Sequence, residues 1–306
     1  MKAGILTGLR ESRGYVSGEK LGKSLGVSRV SIWKHIRDLK RDGYVIPTSS
    51  RGYRLVSSPD LLLPCEFPGL EEKIHHFYQV GSTMDIAREL ARKGVAEGTI
   101  VVAERQTQGR GRLSRQWQSP PGGIYFTIIL RPRITPIYAP RLSLMASVAV
   151  ADTIRELLGL DARLKWPNDV LIGGKKVCGI LAEMDAETDT VNFVNVGLGI
   201  NANSAISQFE SATSLKDELG KRISRKEFLA SLLAEINRQY ALLTEPELLE
   251  RWRSLSATLN RWVKVTALGE VVEGQAVDID ASGALLVRDR DGVVRTALAG
   301  DCVHLR

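Results

Sequence analysis

Chemistry concentrates in one stretch at the middle of the chain, Gln106-Thr-Gln-Gly-Arg-Gly-Arg-Leu-Ser-Arg-Gln-Trp117. Gly109 and Gly111 free the backbone, so N–H groups can approach an anion closely. Arg110, Arg112 and Arg115 add guanidinium forks that match a carboxylate or a phosphate. Gln106 brings an amide and Trp117 a flat ring. The stretch reads as an anion-binding loop; it is not a Walker loop, which needs G-K-[ST]. The competing readings are a flexible surface loop and a second nucleic-acid patch.

A second cluster is Lys165-Trp-Pro-Asn-Asp169, a sharp turn between two strands, followed by Lys175-Lys176 across Gly173-Gly174. Here the cation neutralises phosphate, Asn168 donates and accepts, and Asp169 can hold a metal or steer a nucleophile. The set suits a nucleoside triphosphate with Mg²⁺; a structural turn with surface lysines is the alternative. Gly179, inside a strand, marks close approach of a ligand or of backbone. Gly197, Gly199 and Ala202 have the spacing of a dinucleotide fingerprint, but the loop-like stretch after them is no amphipathic helix, so that reading is set aside. Gly199 and Asn201 can still line a purine pocket. Ser82 and Thr83 either cap the helix that follows or bind a polar ligand head. Ser224 and Glu227 form a capping box that opens a long helix to Leu243.

The elements that must position these residues alternate. Thr99–Glu104, Ile124–Arg131, Val170–Ile172, Val177–Met184 and Val191–Ile200 read as strands, and Asp85–Arg92 and Arg141–Leu158 as helices. Gly173-Gly174 is a two-residue hairpin turn. Hairpins interspersed with helices predict a mixed α/β sheet over 64–257. From Arg261 the pattern changes to five short strands, Trp262–Leu268, Val271–Val277, Ala284–Arg288, Val293–Leu298 and Val303–Leu305. Gly269-Glu270, Ser282-Gly283 and Asp291-Gly292 are the turns among them, and 258–306 reads as a small barrel.

Charge separates the front of the chain from the rest. The 306 residues carry a net +7, yet residues 1–58 alone hold 12 basic and 4 acidic side chains, a net +8. That predicts an N-terminal segment with a polyanionic partner. Its pattern is a helix over 3–13, a second helix capped by Ser17, a turn at Gly26, and a third helix capped by Ser28 with Ile32, Ile36 and Leu39 inward. Gly43 ends it. Tyr44–Ile46 and Tyr53–Val56 read as the strands of a wing with Arg51 at its tip. Helix, Gly turn, helix and wing make a winged helix-turn-helix. Arg29, Ser31, Trp33 and Lys34 lie off the apolar stripe. Arg29 can reach guanine O6 and N7, while Lys34 or Arg51 contacts phosphate; Trp33 either joins them or is half-buried on the first helix. A helical-pair domain that binds protein is the competing reading. Val56 to Pro64 is a Ser- and Pro-rich linker that closes this domain at residue 63.

Other classes drop out. No apolar run approaches a bilayer span of about 18 residues, and the N-terminus lacks a signal-peptide core. Cys65, Cys178 and Cys302 are odd in number and unpaired in spacing, which fits a reducing cytoplasm and no zinc knuckle. No G-x-S-x-G turn supports a serine hydrolase.

In order, G-R-G-R-x-x-R-x-W, K-W-P-N-D, K-x-x-G-I-L and G-x-G-I-N resemble the motifs of biotin protein ligases. The winged helix-turn-helix in front resembles the bifunctional subclass that also represses the biotin operon. The resemblance spans essentially the whole chain. It implies a catalytic core like class II aminoacyl-tRNA synthetases and an SH3-like C-terminal domain. It implies that biotin and ATP form biotinyl-5′-AMP with Mg²⁺, and that a lysine of biotin carboxyl carrier protein then takes the biotin. By position, Ser82, Thr83, Gln106, Gly109 and Arg110 should touch biotin. Arg112 and Lys176 should flank the carboxylate and α-phosphate as catalytic cations. Trp117, Lys165, Asn168 and Asn201 should serve the nucleotide. Asp169 either ligates metal or orients the attacking lysine. The adenylate should act as corepressor, promoting a homodimer on operator DNA. One position departs from the family: Ser114 stands where glycine is usual, and a positive φ there would strain it. A biotin-sensing regulator without catalysis and a ligase for another acid, such as lipoate, are the alternatives.

Overall fold

A computed structural model describes residues 1–12, 14–206, 209–267 and 270–305. The Leu268 end of the first C-terminal strand and the Gly269-Glu270 turn therefore fall outside, or partly outside, the described residues. The chain divides into two compact units, Met1–His76 and Phe77–Arg306.

The first unit holds three helices, α1 (Lys2–Arg10), α2 (Gly18–Leu25) and α3 (Arg29–Arg41). Ser17 and Ser28 cap α2 and α3, each hydroxyl accepting a backbone N–H from three residues on. Gly26 turns the chain between them in the left-handed region, at φ 67°, where glycine carries no Cβ penalty. Leu6, Leu9, Leu21, Ile32, Ile36 and Leu39 share one core. The first helix ends at Arg10, short of its expected end. The wing is also shorter and shifted: β1 (Thr48–Ser49) pairs with β2 (Gly52–Tyr53), while Val45 meets Ser57 only by an isolated bridge. Pro47 has no N–H to donate, which breaks the ladder between the two. Leu61, Leu63 and Cys65 pack onto the same core.

Strand β3 (Ile74–Phe77) carries the chain onward. In the second unit α4 (Thr83–Arg92) begins two residues earlier than the periodicity suggests, because Ser82 is its cap. The remaining central elements are β4 (Ile100–Ala103), β5 (Ile124–Leu130), α5 (Pro140–Leu158), β6 (Ala162–Lys165), β7 (Asp169–Ile172), β8 (Lys175–Glu187) and β9 (Thr190–Ile200). From β4 on, the sheet runs β4-β5-β9-β8-β7-β6 with antiparallel neighbours. Parallel bridges at Val80–Gln106 and Leu164–Ser256 make it mixed. Gly173 and Gly174 take φ 55° and 80° between paired Ile172 and Lys175, the expected hairpin. Helix α4 covers β4, β5 and β9, and α5 lies along β6 to β9. After the short α6 (Leu215–Leu219), Ser224 caps α7 (Arg225–Ala241), and α8 (Pro246–Leu255) follows. Then β10 (Trp262–Ala267), β11 (Glu270–Ile279), β12 (Leu285–Arg288), β13 (Val294–Ala297) and β14 (Asp301–His304) form a five-stranded antiparallel sheet in the order β13-β12-β11-β10-β14. No helix among the described residues is long and apolar enough to cross a membrane.

Candidate functional site

The glycines of β8 and β9 build the floor of the site. Gly179 and Gly199 are direct partners in the ladder. The Trp117 ring lies on both: a Cβ at Gly199 would sit 2.3 Å from Trp117 Nε1, and one at Gly179 2.9 Å from its Cζ3. Larger residues at either position would lift the ring away. Two residues along β9, Gly197 makes room for Met84. The rejected dinucleotide fingerprint is thus plain strand, and the close approach expected at Gly179 is made by Trp117.

Above this floor is a cavity of about 260 Å³ that gathers Ser82, Thr83, Gln106, Arg110, Arg112, Trp117, Lys165, Asn168, Asp169 and Lys176. Lys165 ends β6 and Asp169 begins β7, and the two are ladder partners, so the turn between them presents both to one mouth. Lys176 Nζ meets Asp169 Oδ1 at 2.5 Å and lies 5.2 Å from the Trp117 ring centroid. Asn168 is tied down by donating from Nδ2 to the Ile180 carbonyl at 2.5 Å, which leaves its Oδ1 toward Arg112. Burial pulls the Arg112 guanidinium below its ordinary pKa, with Asp169 and Asp301 opposing.

At the other end Gln106 is a relay. Its Oε1 accepts the Thr83 N–H at 2.8 Å and the Thr83 hydroxyl at 3.1 Å, and its Nε2 donates to Ser119. Thr127 donates to Thr83 Oγ1. Ser82 does cap the helix, and it also lines the cavity. Arg110 pairs with Asp85 at 3.0 Å and Glu183 at 3.3 Å, and its Nε is a buried donor with no partner, as is Trp117 Nε1. Buried unpaired donors facing a cavity suit a ligand with acceptors.

Gly109 and Asn201 lie outside this lining. Gly109 accepts the Trp117 N–H at 2.8 Å, and a Cβ on it would press 2.5 Å from the Trp117 carbonyl oxygen; it closes the loop rather than facing the cavity. Asn201 is buried, donating from Nδ2 to Thr213. Ser114 has φ 59° and Leu113 φ 54°, so serine does occupy a left-handed position where glycine costs nothing.

Three lining residues carry no local sequence signal: Gly300, Asp301 and Cys302 of the C-terminal sheet. Asp301 receives Arg115 in a two-bond fork, at 3.1 and 2.7 Å. The pair holds the aspartate below its usual pKa and raises that of the arginine. Burial pushes the Cys302 thiol up to about 11. Trp166, read only as part of the turn, is buried and donates to the Gly283 carbonyl at 3.1 Å, anchoring the turn on the C-terminal sheet.

In the first unit Arg29, Trp33, Lys34 and Arg51 are exposed and Ser31 is partly so. Trp33 is half-exposed under the Arg37 guanidinium, 5.0 Å from its centroid.

A helix-turn-helix ahead of a cation-lined α/β pocket combines a DNA-reading module with a site for an anionic ligand. The comparisons agree. Residues 76–201 match the biotin/lipoate A/B protein ligase family, 3–54 an HTH domain, and 258–305 the biotin protein ligase C-terminal domain. The chain is 39% identical over 297 residues to the bifunctional ligase/repressor BirA of Bacillus spizizenii, covering 91% of each. It is 31% identical to that of Escherichia coli, covering 93% of this chain and 91% of the relative. A biotin protein ligase from Aquifex aeolicus in complex with biotin and ATP superposes with TM-score 0.66 at 31% identity, over 76% of this chain and 98% of that one. The chain belongs to the biotin protein ligases, in their bifunctional ligase/repressor form.

Proposed function

We propose that the protein adenylates biotin to biotinyl-5′-AMP, transfers biotin to a lysine of biotin carboxyl carrier protein, and uses the adenylate as corepressor on operator DNA. The supporting observation is that one cavity gathers two cations, Arg112 and Lys176, between a polar amide end and an aromatic floor.

In the first step a biotin carboxylate oxygen attacks the α-phosphorus of ATP, the bond to the β-phosphate oxygen breaks, and pyrophosphate leaves. Two anions must meet, so fixed cations have to offset their repulsion. Arg112 and Lys176 serve there. Ser82, Thr83, Gln106 and Arg110 hold biotin, the last with its unpaired Nε, and Gly109 serves by closing the loop that carries Arg110. Trp117, Lys165, Asn168 and Asn201 serve the nucleotide, Asn201 by bracing the strand end behind it. Mg²⁺ fits, since it is commonly held by one carboxylate plus substrate phosphates, and Asp169 is the carboxylate beside Lys176; the ion would neutralise triphosphate charge. In the second step the neutral carrier lysine attacks the anhydride carbonyl, AMP departs, and Asp169 accepts or orients the lysine proton.

The functional modules are 1–63, 64–257 and 258–306. The central one shares the class II aminoacyl-tRNA synthetase plan, and the last, with its five-stranded antiparallel sheet, is an SH3-like barrel that supplies Asp301 to the nucleotide end. The first reads DNA through Arg29, Ser31, Trp33, Lys34 and Arg51, as a homodimer when the adenylate is bound. Biotin-dependent ATP–pyrophosphate exchange tests the enzyme. Exchange with biotin and none with lipoate is expected; no exchange with biotin and Mg²⁺ present refutes the reading.

A further inference from the structure

The winged unit holds an arrangement that the helix-turn-helix pattern does not require. Just before α2, Val16 and Tyr53 exchange two backbone hydrogen bonds of 2.8 Å, each donating its N–H to the other's carbonyl. The approach is so close that a Cβ on Gly52 would lie 2.0 Å from the Val16 carbonyl oxygen. This segment is in effect a third edge of the wing, and it sets Tyr15 beside the tip. The Arg51 guanidinium lies 5.2 Å from the Tyr15 ring centroid and that of Arg54 5.3 Å.

Both arginines are exposed. Among the described residues the ion pairs of this unit go to Lys2, Arg10 and Arg41, so neither Arg51 nor Arg54 meets a carboxylate. Two uncompensated cations at one place repel each other. The negative face of a ring lowers that cost, and stacking narrows the rotamers each arginine explores. Side chains ordered before binding lose less entropy on binding. Two fixed guanidiniums with no internal partner suit a ligand with two anions at a regular spacing, as in a nucleic-acid backbone.

We propose that Tyr15 is a positioning residue that holds Arg51 and Arg54 as a paired clamp on neighbouring phosphates of DNA. The inference rests on the DNA-binding reading above and extends it to two residues outside the recognition helix. The test uses the full chain with biotin and ATP. A duplex recovered by that chain from a randomised library is the probe, and affinity is measured by fluorescence anisotropy across a KCl series. Each phosphate contact contributes about 0.9 to the slope of log K against log salt. The double variant Arg51→Gln/Arg54→Gln should lower the slope by about 1.8 for each protomer bound, hence about 3.6 for the homodimer. Tyr15→Leu keeps both charges, yet should weaken binding about threefold, on the scale of one exposed cation–π contact, and flatten the slope. Tyr15→Phe keeps the ring and should match the unaltered chain. A merely structural role for Tyr15 would move the melting temperature and leave the slope alone. An unchanged slope in the double variant, or equal behaviour of Tyr15→Leu and Tyr15→Phe, overturns the clamp while DNA binding stands. Recovery of no duplex at all refutes DNA binding and the clamp with it.

Discussion

In the winged unit Arg29, Lys34, Arg51 and Arg54 face solvent, and among the described residues no carboxylate pairs with them. In the second unit Arg110, Arg115 and Lys176 already meet Asp85 with Glu183, Asp301 and Asp169. The same side-chain types are prepared for different tasks. Unpaired exposed charge acts at a distance and is screened by salt, which suits a polyanion met by diffusion. Charge held by a carboxylate at a pocket is aimed, and a small anion has to compete for it at contact. Net charge therefore reports the first region and conceals the second: residues 59–257 hold 24 basic and 24 acidic side chains.

The sharpest way to break this contrast is to remove one side of it. Excising residues 1–73 should abolish salt-sensitive DNA retention in a mobility shift and leave biotin-dependent pyrophosphate exchange measurable. The cut belongs just before β3 (Ile74–Phe77), because Leu61, Leu63 and Cys65 are part of the first unit's core; a cut within that core would expose apolar surface, a cut inside β3 would sever the strand, and either would confuse misfolding with lost function. Loss of exchange would mean that the winged unit contributes to the chemistry.

The next effect is confined to the other side. Lys176→Gln removes one of the two cations proposed to offset the charge that develops at the α-phosphate, and should slow exchange by about 10²–10³-fold. Lys176 is partly exposed, 31% by side chain, with Asp169 its one ion-pair partner among the described residues. The melting temperature should therefore shift little. DNA affinity measured without biotin should also stay the same. A change in that ligand-free affinity would contradict the separation of the two charge systems.

The contrast also explains what could be read without coordinates. Ser17, Gly26, Ser28 and the Ile32–Ile36–Leu39 stripe act within a few residues of themselves, so local periodicity was enough. The Gly173-Gly174 hairpin was legible for the same reason. The cations of the pocket were legible as types but not as pairs. Gly179 and Gly199 signal a close approach, yet only the β8–β9 register shows that one ring covers both. Asp301 sits 186 residues from Arg115 in a strand with no motif, and its role depends wholly on tertiary contact. The wing strands were misplaced because apolar alternation around Tyr44 outweighed the missing donor at Pro47. Tyr15, flanked by no motif, gave no sign of the arginines it stacks against.

The smallest expected effect isolates the brace behind the pocket by pH. Thr258 Oγ1 accepts the Trp166 backbone N–H at 3.0 Å and shares a hydrogen bond of 3.1 Å with His304 Nε2. Burial, with Lys165 and Arg261 adding to it, holds His304 down at about 4, against 6.5 ordinarily. Between those values the unfolded chain binds a proton that the fold refuses, so stability present above pH 6.5 is lost as pH falls through the window toward 4. Thermal unfolding of the full chain should therefore depend less on pH between 4 and 6.5 in His304→Gln than in the unaltered chain. Identical slopes would show that the fold does not hold the His304 proton off in this window, and would overturn the linkage.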